Sequence, residues 1–93
     1  MNEDYEFIVL KLKEISRETN ENVRNEELKK IKAFFFDPDN TSKERHAKLE
    51  SIIEAIDLYS KDEDEKANIY KVLAILFINR LVEIINGDIM TEM

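Results

Sequence analysis

The chain has 93 residues with one Gly, one Pro and no Cys, and its 21 Asp and Glu outnumber its 14 Lys and Arg for a formal net charge of −7. That length fits one small domain over residues 1–93, and the scarcity of Gly and Pro argues against a turn-rich β-sandwich or barrel. Without Cys there is no disulfide scaffold and no thiolate chemistry.

At about 100° per residue, Tyr5, Ile8, Val9, Leu12 and Ile15 fall on one helical face, with Phe7 and Leu10 off it. The next apolar set, Val23, Leu28, Ile31, Phe34 and Phe35, is rotated by roughly 90° from the first, so one straight helix cannot bury both. The polar run from Glu18 to Asn22 is the natural break. The pattern predicts helix 1 over about 3–18 and helix 2 over about 23–36, with a single bent helix as the alternative. Asp37-Pro38-Asp39-Asn40 stops the helix, because proline disfavours a helical residue before it and Asp and Asn bond to local backbone. Thr41-x-x-Glu44 then opens helix 3, about 42–59, as a capping box. The stripe of helix 3 is Leu49, Ile52, Ile53, Ile56 and Tyr59. Ser60-x-x-Glu63 is a second box, opening helix 4 over about 61–86. Its first turn is acidic, which suits the positive end of the helix dipole, and Gly87 supplies a left-handed stop. Residues 88–93 are expected to fray. The fold class is therefore all-α, a small up-and-down bundle of three or four helices. Leu49, Ile52, Ile56, Leu73, Phe77 and Leu81 are the expected core of helices 3 and 4.

Chemistry is harder to find than structure. His46 is the single histidine; it has Glu50 four residues on and reads as a partly exposed residue at the edge of the helix 3 stripe. Calcium loops starting at Asp37 or Asp62 fail. The first has Ser42 where Gly is needed and Lys48 where a bidentate Glu is needed, and the second has Lys66 at a ligand position. A single Gly forbids a phosphate-cradling loop. No metal, no cofactor and no enzyme activity are expected. Arg24, Lys29, Lys30 and Lys32 of helix 2 are diluted by Glu21, Glu26 and Glu27, so direct nucleic-acid binding is not expected either. The most apolar segment, Ile69 to Ile85, is broken by Lys71, Arg80 and Glu83, against the requirement for a membrane span. The acidic N-terminus is unlike a signal peptide, and the cytoplasm is the expected compartment. A bias towards Ile, Lys and Asn suggests an AT-rich genome, as of a bacterium or phage.

Two features exceed the needs of a plain bundle. Residues 37–66 hold ten acids against five bases, and Glu50, Glu54, Asp57, Asp62 and Asp64 are the candidates for an acidic partner-binding surface. Helix 4 also carries surplus apolar surface. Asn68, Asn79, Glu83 and Asn86 mark its expected outward arc, with Val72, Ile75 and Leu76 inside or beside it. Either helix 4 is the central helix or a partner covers that side. Phe36 either folds under the Asp37-Pro38 turn or stands out as an apolar anchor. The functional expectation is a non-enzymatic module that occupies another protein, of regulator, inhibitor, immunity or antitoxin type. A homodimer through helix 4 is the simplest cover for the apolar arc. The alternative is an acidic nucleic-acid mimic that blocks a DNA- or RNA-handling protein.

Overall fold

Four helices account for the sequence pattern in the computed structural model, which describes residues 3–87: α1 Glu3–Arg17, α2 Glu21–Phe35, α3 Ser42–Tyr59 and α4 Glu63–Ile85. No strand occurs among the described residues, and the residues expected to fray, 88–93, lie outside them. α1 and α2 are separate helices. The Asn20 side chain caps α2 by accepting from the backbone N–H groups of Asn22 and Val23, so α2 begins two residues before its first apolar position. Thr41 caps α3 as expected: its Oγ1 accepts from the Glu44 N–H at 3.1 Å and donates to the Glu44 carboxylate. The second capping box is displaced. Asp62, not Ser60, caps α4 by accepting from the Glu65 N–H at 2.8 Å. Ser60 instead ends α3, donating its backbone N–H to Ile56. Carboxylate and hydroxyl compete within two residues here, and the charged acceptor takes the cap. Gly87 has φ 75° and its N–H reaches the Ile84 carbonyl, the expected left-handed stop.

The helices alternate in direction. At one end Lys13 of α1 donates to the Tyr59 carbonyl at the end of α3 and pairs with Glu65 at the start of α4. At the other, Tyr5 meets Phe34 edge to face, and Phe77 of α4 meets Phe35 and Phe36 at centroid separations of 5.4 and 5.0 Å. Lys48 reaches back from α3 to the Phe34 carbonyl at 2.8 Å and so satisfies one of the orphan acceptors at the end of α2. The result is an up-and-down bundle, flattened to Cα extents of 38 × 31 × 18 Å.

The helix at its centre is α1, which packs most extensively, above all against α4 and α3, whereas the α2 and α4 backbones approach at few points and meet through side chains. Helix 4 is therefore not the enclosed one. The α1 stripe buries as expected through Ile8, Val9, Leu12 and Ile15, and Phe7 and Leu10 are exposed. α2 contributes Leu28, Ile31 and Phe35, and α3 contributes Ile52, Ala55 and Ile56. Val23 and Ile53, expected inside, are exposed, and Leu49 is half-buried beside the core. The largest correction is on α4, whose inward stripe is Ile69, Val72, Leu73, Leu76 and Arg80. Leu81, expected in the core, is exposed, and Phe77 is half-buried. The real face is turned by roughly 80° from the expected one, at 100° per residue.

Candidate functional site

Turning α4 this way buries two of its three proposed contact residues and uncovers a different set. Val72 and Leu76 are 6% and 2% exposed, in the core against α1 and its neighbours. Ile75 stays outside at 42%, joined by Ile78 at 58%, Leu81 at 55%, Val82 at 48% and Ile85 at 73%. Ala74 lies among them, also exposed. These positions follow one another at intervals of three and four residues, which sets them on one side of a helix. Lys71 is the only charged residue on that arc between Lys71 and Ile85. Scattered exposed aliphatics are ordinary, but a contiguous strip of five over three helical turns is not.

One border of the strip is a groove of about 570 Å³ between α2 and α4. Leu28 and Leu76 form its apolar floor, and Asn25, Lys29, Asn79 and Glu83 stand around it. Lys32 closes one end by pairing with Glu83. Behind that pair lies Arg80, 5% exposed, with its guanidinium 3.7 Å from Glu83 and 5.5 Å from the Phe36 ring centroid. Phe36 is thus half-buried among Phe35, Phe77 and Arg80 rather than a free anchor. Arg80 was missed in the sequence because an arginine is normally placed outside. Its spacing of three from Glu83 was the available signal.

No protein-family model, curated protein or solved structure matches this chain.

The five acidic candidates are all exposed, and they differ in their local partners. Asp62 is spent as the α4 cap. Asp57 accepts from the Tyr70 hydroxyl at 3.3 Å and faces the Lys66 ammonium at 3.6 Å, tying α3 to α4. Glu50 lies 3.0 Å from the His46 imidazole one turn earlier. Glu54 and Asp64 are exposed. The groups whose titration shifts sit where helices meet. Glu65 is held below the usual carboxylate range, first by the Lys13 hydrogen bond, with partial burial opposing and the Lys61 backbone N–H assisting. Burial pushes the Tyr70 phenol up and Asp57 adds to it. Burial would lower Lys66, but Glu63 and Asp57 outweigh it and raise it. Each of these groups ties α4 to a neighbouring helix: Glu65 to α1 through Lys13, and Lys66 and Tyr70 to α3 through Asp57. Among the described residues no group of three or more His, Asp or Glu could hold a metal ion, and no helix is long and apolar enough to cross a membrane.

Proposed function

We propose that the protein is a non-enzymatic binding module that acts by occupying another protein, and that it does so through the outer face of α4. One observation supports this reading: the strip Ile75, Ile78, Leu81, Val82 and Ile85 stands exposed on a helix whose opposite face is already buried. A rigid apolar helix face rimmed by Asn68, Asn79 and Asn86 suits an interface centre inside a polar rim. Regulators, inhibitors, immunity proteins and antitoxins all work by occupancy of this kind. The test compares the wild type with Ile78→Asp as bait in extracts of the source organism. The reading expects a protein captured by the wild type and released by the variant, with helical content by circular dichroism unchanged. Equal capture by both removes the α4 face from consideration.

The acidic-mimic reading draws on the net charge of residues 37–66 and on exposed Glu54 and Asp64. It is weakened by the internal duties of Asp57 and Asp62. Salt discriminates the two: mimicry loses affinity steeply as ionic strength rises, and apolar docking does not.

A further inference from the structure

We propose that the occupant of the α4 outer face is a second copy of this chain, docked as an antiparallel α4–α4 pair about a two-fold axis midway between Ile78 and Val82; this rests on the reading of that face as a protein-binding surface. The first argument is register. Lys71, Ile75, Ile78, Val82 and Ile85 are spaced 4, 3, 4 and 3 apart, the alternation that keeps a seam facing a second helix. With the axis midway between residues 78 and 82, Ile78 of one copy meets Val82 of the other, and Ile75 meets Ile85. Each layer then occurs twice, so four layers are built entirely from Ile and Val. An isologous contact of this sort requires a surface that matches itself, and this seam does.

Charge selects the direction. The molecule carries −7, so two copies associate only where their acids are kept apart. The acids of α4 are Glu63, Asp64 and Glu65 in its first turn and Glu83, which is turned to Lys32 and Arg80. A parallel pair would set both acidic first turns side by side and Lys71 against Lys71. The antiparallel pair carries each acidic turn past the far end of the other helix. It also brings Lys71 beside the C-terminal carbonyls of the other α4, where the helix dipole is negative and favours a cation.

Cysteine chemistry makes the geometry readable, because the chain has no thiol of its own. The experiment measures mass by sedimentation equilibrium over a concentration series for the wild type and Ile78→Asp. It is joined to crosslinking with a short bis-maleimide in Ile75→Cys, Ile85→Cys and the double variant. The expected result is a wild-type mass approaching twice 11.0 kDa, a monomeric Ile78→Asp of unchanged helical content, and covalent dimer from the double variant alone. Within one chain the two thiols are about 15 Å apart along the helix, beyond such a linker. Crosslinking of both single variants overturns the antiparallel register. A dimer that survives Ile78→Asp overturns the surface. A wild type that is monomeric throughout overturns the second copy as occupant. In that last case, loss of a captured protein on Ile78→Asp leaves the docking reading standing, whereas unchanged capture removes both.

Discussion

α4 is the longest and most apolar helix of the bundle, yet the helix with the most extensive packing against its neighbours is α1. α1 buries a narrow stripe and needs no more, because three neighbours converge on that stripe. α4 buries a stripe of similar width against α1 and then repeats apolar residues around its outer side. Position in the bundle is thus set by how neighbours converge, and hydrophobicity beyond that need is surface left for something else.

The contrast is broken most forcefully from its centre. Leu12→Ala, at a fully enclosed site on α1, should cost about 2–5 kcal/mol, a large share of the roughly 5–15 kcal/mol that holds a domain together. Ile78→Ala, measured by urea unfolding at concentrations where the protein is monomeric, should stay within about 0.5 kcal/mol. Comparable losses at the two positions would show that α4's outer face is core after all.

Smaller effects sharpen the account of how α4 is held. Asp62→Ala removes its cap and should cost about 1 kcal/mol. Ser60→Ala should be close to neutral, because the Ser60 hydroxyl is buried without a hydrogen-bond partner. The reverse ranking in thermal unfolding would return the cap to Ser60.

A third prediction concerns acid. Glu65 has a depressed folded-state pKa, so its stabilising effect is present above the ordinary glutamate range, near 4.3. It is lost as pH falls through the lower folded value. Glu65→Gln should therefore destabilise at neutral pH and flatten the loss of stability below about pH 4. Parallel pH profiles of wild type and variant by denaturant titration would count against the Lys13–Glu65 tie. On the alkaline side the raised Lys66 and Tyr70 act oppositely. Their contribution holds below about pH 10 and fades as pH rises through their folded values.

The sequence was most readable where polar and apolar residues alternate sharply. The α1 stripe, the Thr41 box and the Gly87 stop all follow from periodicity and capping chemistry. α4 was misread because its apolar residues run all round, which leaves no contrast to set the phase. Asn79 and Glu83 then looked like solvent markers, although they edge a groove shared with α2. Arg80 counted only as a charge that breaks a membrane span, although its stem lies on the buried stripe and its head rests over Phe36. The 4-3-4-3 run from Lys71 to Ile85 was legible throughout, but spacing alone does not say which of two apolar seams faces inward.

The central position of α1 also bears on how the chain folds as it is made. Of these four helices, the first to leave the ribosome is one whose partners come late, for Lys13 must wait for Tyr59 and Glu65 and the α1 stripe for α4. Contacts of such long sequence separation carry a loop-closure cost before they give any return. A nascent chain of three helices therefore holds an α1 stripe covered only by α2 and α3, and native packing is complete only when α4 closes over the rest. Slowing translation within α4 lengthens that exposed interval, whereas slowing it within α1 does not.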